Sequence, residues 1–134
     1  MIVRPMFAKG RLPRIGNEKF QLGARIGIDT RPDNDGFISD LSKGMSVSPS
    51  VEDLHPNIQP MWLNSRFPDA NGPIALKIFR YKDLEFKTQV LNTDLKLEVN
   101  RNHGNICPAK QCKYTYYVSA ISQTQPEWLI EDEE

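Results

Sequence analysis

Leu95-Lys96-Leu97-Glu98-Val99 alternates apolar and charged side chains, the pattern of a strand with one face on a core and the other in water. Upstream, residues 74–79 (Ile-Ala-Leu-Lys-Ile-Phe) and residues 86–91 read as two more strands, with turns at Asn71-Gly72-Pro73 and Asn92-Thr93-Asp94. Downstream the period changes. Tyr114, Tyr117, Val118 and Ile121 fall at i, i+3, i+4 and i+7, which predicts an amphipathic helix. Gln125-Pro126 ends it, because a proline disfavours a helical residue before it. Trp128-Leu129-Ile130 reads as a short last strand, and residues 131–134 as a frayed acidic tail.

The N-terminal side is less regular. Residues 1–7 are apolar except for Arg4, and Pro5 cannot donate to a ladder, so this strand belongs at a sheet edge or ends just after Arg4. An arginine within such a strand needs an anionic or carbonyl partner, since an unpaired buried guanidinium is too costly. A structural salt bridge and a ligand contact both meet that need. Residues 20–28 alternate weakly around Gly23 and Gly27 and read as an irregular or bulged strand carrying Arg25. Thr30-Arg31-Pro32-Asp33-Asn34-Asp35-Gly36 is a turn, without the spacing or closing glutamate of a calcium loop. Gly44-Met45-Ser46-Val47-Ser48-Pro49 reads as a short strand ending in hydroxyls. Ser50-Val51-Glu52-Asp53 then has the form of a capping box, with room for only a short helix before Pro56 and Pro60. Trp62, Leu63 and Phe67 are expected to cover the core from that proline-rich loop. Asn102-His103-Gly104-Asn105 reads as a polar histidine loop.

The sum is a chain of the α+β class, a mainly antiparallel sheet core with one or two short helices. At 134 residues, one domain over 1–134 suffices, with a core that needs neither disulfide nor metal. Formal net charge is +0, unlike the basic footprint of a duplex-binding protein. The charge is uneven: residues 1–31 hold seven Lys or Arg against Glu18 and Asp29, and residues 127–134 hold five acids and no base. The basic third suits a small anion such as a pyrophosphate, an acidic protein partner, or plain solvation. Cys107 and Cys112 lack a second pair and read as reduced thiols. No apolar run approaches membrane-spanning length, and Arg4 and Lys9 interrupt the apolar start, so neither a membrane span nor a cleaved signal peptide is expected. That points to a cytoplasmic setting.

Ser46 or Ser48 as a hydrolase nucleophile lacks the second glycine of an elbow motif. His55 and His103 stand far apart, without a second ligand nearby, so no metal site is expected. Walker A and dinucleotide G-x-G-x-x-G motifs are absent. Arg4, the mid-chain hydroxyl Ser46 and His103 remain. Arginine pairs with phosphate through its planar fork, serine bonds ribose or amide, and histidine donates to phosphate or polarises a ribose hydroxyl.

These residues also carry a resemblance. Val3-Arg4-Pro5-Met6-Phe7, then Asp35-Gly36 with Gly44-Met45-Ser46-Val47, then His103-Gly104-Asn105-Ile106-Cys107-Pro108-Ala109-Lys110 and the tyrosine-rich helix resemble motifs of the small ADP-ribosyltransferase-like toxins of type VI secretion and their bacterial relatives. The resemblance implies a split, twisted sheet that grips NAD. Arg4 would contact its phosphate or ribose, Ser46 would line the nicotinamide ribose, and Met45 and Val47 beside it would belong to the NAD-binding segment. His103 would occupy the late polar position, making Ser46 and His103 the catalytic pair, and Arg25 and Ser48 are secondary candidates for the cleft. It also implies an exported effector that modifies an intracellular target and has an immunity partner. The family's late glutamate has no clear counterpart, Glu98 and Glu131 being the available carboxylates. NAD hydrolysis therefore stands beside transfer, and a non-enzymatic module binding through the basic third stands beside both. Transfer of ADP-ribose to a nucleic acid is disfavoured by the neutral net charge.

Overall fold

Pro5 determines where the sheets of this chain part. In the computed structural model, which describes residues 1–132, the elements run β1 (Val3–Met6), β2 (Ala8–Lys9), β3 (Leu12–Pro13), β4 (Phe37–Ile38), β5 (Met45–Val47), β6 (Lys77–Tyr81), β7 (Gln89–Val90), β8 (Leu95–Asn100), β9 (His103–Pro108), β10 (Cys112–Lys113), α1 (Tyr114–Gln123) and β11 (Trp128–Asp132). Short 3-10 turns occupy Pro56–Ile58, Met61–Leu63 and Gln125–Glu127. One antiparallel sheet has the order β1-β6-β11, and a second has the order β5-β9-β8-β7. The fold is α+β, mostly antiparallel, with one short α-helix.

The two sheets meet at a single bridged pair. Val3 N donates to Ser48 O at 2.8 Å, and Ser48 N returns a bond to Val3 O at 2.9 Å. In an antiparallel ladder the next such pair lies two residues on, which would set Pro5 against Ser46. Pro5 has no N–H to give. The ladder stops there and leaves Ser46 O without a main-chain donor.

Apolar side chains on both sides of β1 and β6 explain why those strands lack clean alternation. Ile2, Met6, Phe79 and Tyr81 face the main core with Leu95, Leu97, Ile106, Tyr117 and Trp128. Val3 and Ile78 face a smaller cluster with Val51, Leu54 and Leu63, packed by Trp62 and Phe67. The proline-rich loop is therefore a second cover, as its aromatic residues implied. On β8 the expected alternation holds: Leu95 and Leu97 are buried, while Lys96 and Glu98 pair outside at 3.0 Å. Helix α1 turns Tyr117, Ala120 and Ile121 inward and stops at Thr124, whose Oγ1 donates to Ile121 O and accepts from Trp128 Nε1.

Five expectations need correction. Residues 20–28 form turns instead of a strand. The amides of Ile28, Asp29 and Thr30 converge on Arg25 O, and Gly27 takes a left-handed φ of 85° that suits a turn. The histidine segment is a strand, β9, at the inside of the second sheet; its Asn, Gly and Pro content disguised a backbone paired on both sides. No α-helix follows Ser50, whose hydroxyl bonds Asp53 Oδ2 at 2.7 Å, and the single turn at Pro56–Ile58 is capped by His55. Glu131 lies in β11 and accepts from Arg80 Nε at 2.6 Å, so residue 131 belongs to the sheet and not to a frayed tail; residues 133–134 lie outside the described residues. The strands expected at 74–79 and 86–91 lie at Lys77–Tyr81 and, cut to two residues, at Gln89–Val90.

Tyr117 ties α1 to the edge strand β5 and its neighbour β9 in the second sheet. Its hydroxyl donates to Ile106 O at 2.5 Å and accepts from Met45 N at 3.0 Å. Gly44 makes room for this contact, since a Cβ there would meet Ile106 O at 2.1 Å and the Tyr117 hydroxyl at 2.6 Å. Tyr117→Phe orphans a buried amide and should cost about 1–3 kcal/mol. Gly44→Ala should cost roughly 1–3 kcal/mol by overpacking. Denaturant midpoints of both variants measure this, and an unchanged midpoint for Tyr117→Phe would refute the linchpin role.

Candidate functional site

Arg4 occupies the break that Pro5 creates. Its Nη1 donates to the freed Ser46 O at 2.7 Å, and Nη2 donates to Gln21 O at 2.9 Å. Its Nε is buried without a partner among the described residues. The partner the sequence demanded is a pair of main-chain carbonyls, and no carboxylate among the described residues bonds it. Burial lowers its pKa from 12.5 to about 10, the Asp29 charge pulling it back up and the Arg25 charge pushing it further down. At neutral pH it remains a cation, held by dipoles.

A cavity of about 200 Å³ opens beside it, lined by Arg4, Lys19, Arg25, Ser46, Val47 and His103 among others, and, among the described residues, by no Asp or Glu. Four sequence-distant candidates, Arg4, Arg25, Ser46 and His103, are thus on one wall system. Ser48 also lines it, although its backbone is spent on the bridge to Val3. Met45 is not among these residues: it is 1% exposed and its side chain belongs to the main core.

An adjoining pocket of about 260 Å³ shares Arg25, Ser46 and His103 and adds Asp29, Lys43 and Asn105. Register explains the sharing. Ser46 pairs with Asn105 across β5 and β9, and His103 lies two residues from Asn105, so the three occupy one face of the sheet. Arg25 reaches the same place from its turn, held by Asp29, whose Oδ2 accepts from Arg25 N at 2.7 Å and from Arg25 Nε at 3.2 Å.

Lys19, Asp29 and Asn105 escaped the sequence reading. Lys19 and Asp29 counted there only as charges, and no spacing marks a residue that a turn folds into a cleft. The i, i+4 relation of Arg25 and Asp29 was the available signal. The late carboxylates stand elsewhere. Glu98 pairs with Lys96 and Glu131 with Arg80, and neither lines these two pockets. No described serine hydroxyl bonds a histidine ring, the contact a serine nucleophile and its base would make. Among the described residues no group of three or more His, Cys, Asp or Glu could hold a metal ion, and no helix is long and apolar enough to cross a membrane. A wider, shallower groove of about 660 Å³ runs between Phe37 and Tyr116 and shares no residue with the Arg4 cavity.

The buried titratable groups give the chain a characteristic alkaline response. Burial, reinforced by Glu127, pushes the Tyr81 hydroxyl up from 10.0, burial likewise raises Tyr117 from 10.0, and burial lifts the Cys107 thiol from 9.0 to about 12. The unfolded chain releases these protons first, so the folded state binds more of them and stability falls with rising pH, by about 1.4 kcal/mol per pH unit for each group. Arg4 opposes this as one group, because the penalty on its charge eases as pH rises through about 10. Denaturant midpoints should therefore fall steadily above about pH 9, and less steeply in Tyr117→Phe; midpoints that rise there would contradict the assignment. No protein-family model matches the chain, and no curated protein or solved structure matches it.

Proposed function

We propose that the paired pockets bind NAD and that the chain is an NAD-dependent mono-ADP-ribosyltransferase, or an NAD glycohydrolase, acting as a toxin on an intracellular target. One observation carries the reading: Arg4, Arg25, Ser46 and His103, far apart in sequence, line a cavity with no carboxylate among its described residues, at the break between two sheets. A site with three guanidinium or ammonium groups and a histidine attracts phosphate, and the adjoining pocket continues it past Ser46 and His103. The toxin role and an immunity partner rest on the resemblance of the three motifs to the type VI effector family.

In this reading Lys19 and Arg25 neutralise the diphosphate, and Ser46 and His103 frame the nicotinamide ribose. The bond between ribose C1′ and the nicotinamide ring nitrogen breaks, and its electron pair leaves with the ring, which becomes neutral. The cationic C1′ is captured by an acceptor group or by water, which loses a proton. Polar groups fixed beside that developing charge lower the barrier. Arg4 serves differently from a simple ligand contact. Its two terminal nitrogens hold Ser46 and Gln21 in place, so it positions the wall and contributes charge.

Nicotinamide release from NAD tests the proposal. The parent should release it, and Ser46→Ala and His103→Ala should each slow release by about tenfold or more with unchanged melting temperature. Arg4→Ala should instead lower the melting temperature, because two carbonyls lose their donors, at about 1–3 kcal/mol. Release at parental rates in both Ser46→Ala and His103→Ala would dismiss the site, and no release by the parent would dismiss the activity.

A further inference from the structure

Asp29 is 7% exposed, and it lines the second pocket beside Arg25, Ser46, His103 and Asn105. Among the described residues it is the one carboxylate lining either pocket. Its position is fixed from both directions: Oδ2 accepts from the Arg25 amide and Nε, and the Asp29 amide donates to Arg25 O at 2.9 Å. Every one of its side-chain bonds uses Oδ2, and no described residue bonds Oδ1. Oδ1 is not a buried orphan: it is open to solvent, and it accepts from water or from whatever donor displaces water in the pocket. A fully ionised phosphate brings no donor and is repelled by it. A sugar hydroxyl brings one, and a vicinal diol brings two.

The cleft is therefore divided by charge. The first pocket offers Arg4, Lys19 and Arg25 with no acid. The second adds a fixed carboxylate and the Asn105 amide, although Lys43 also reaches it. We infer that the second pocket is a ribose subsite in which Asp29 accepts the hydroxyls of a ribose whose diphosphate lies in the first pocket. The inference rests on the nucleotide reading above and narrows it: the ligand is a ribonucleoside diphosphate or a molecule containing one, and both free pyrophosphate and a sugar lacking its hydroxyls are poorer ligands.

Titration calorimetry with ADP, 2′,3′-dideoxy-ADP and inorganic pyrophosphate tests this on the unmodified protein, where folding is not at issue. ADP should bind at least about tenfold more tightly than dideoxy-ADP, the worth of one hydrogen bond to a charged group. Asp29→Asn keeps an oxygen for the Arg25 amide but removes the charge. It should bring ADP down to the dideoxy-ADP affinity and leave pyrophosphate binding no weaker. Equal affinities of the parent for ADP and dideoxy-ADP, with pyrophosphate still bound, would overturn the ribose subsite and leave the anion cleft standing. Failure of all three to bind would overturn both.

Discussion

A proline cannot donate, and an arginine next to it can. The antiparallel pairing of Val3 with Ser48 would run on through Pro5 and Ser46 if residue 5 had an amide hydrogen. It stops, and the Arg4 guanidinium supplies the donor that Ser46 O would otherwise lack, at 2.7 Å. The same side chain reaches Gln21 O, which draws the loop before Arg25 against the break. One dipeptide thus ends a sheet, opens a cleft and fastens the loop that carries its other cationic groups.

Holding a cation in this way has a cost, visible in the pKa lowered to about 10 and in an Nε with no partner. Carbonyl dipoles compensate a charge only in part. Arg4, Lys19 and Arg25 line a cavity with no carboxylate among its described residues, which makes its potential positive. Asp29 offsets part of it through Arg25, from the neighbouring pocket. The result is a cleft with a positive end and a mixed end, built from one strand, one turn and one sheet face.

The sequence exposed those features that local periodicity controls. The alternation at residues 95–99 gave a strand with Lys96 and Glu98 outside, and the spacing of Tyr117 and Ile121 gave the inner face of α1. Pro5 gave the edge position of β1. Features set by pairing partners stayed hidden. Gly104 and Asn105 are poor strand formers, yet β9 is held on both sides by β5 and β8, so tertiary pairing overrode composition. Arg25 sits on a turn because three amides share its carbonyl, which no spacing reports. Arg4, Ser46 and His103 were legible as chemistry that needed partners. Their meeting point was legible only through motif order, and Asp29 was not legible, since its role depends on a cleft that the sequence does not display.

Backbone amide chemical shifts followed during titration with NAD test the central claim most directly, because they report location without requiring turnover. The account predicts saturable shifts concentrated at Arg4, Lys19, Arg25, Ser46 and His103, on both sides of the break between the sheets. Shifts confined to the groove between Phe37 and Tyr116, or no shifts at millimolar NAD, would contradict it.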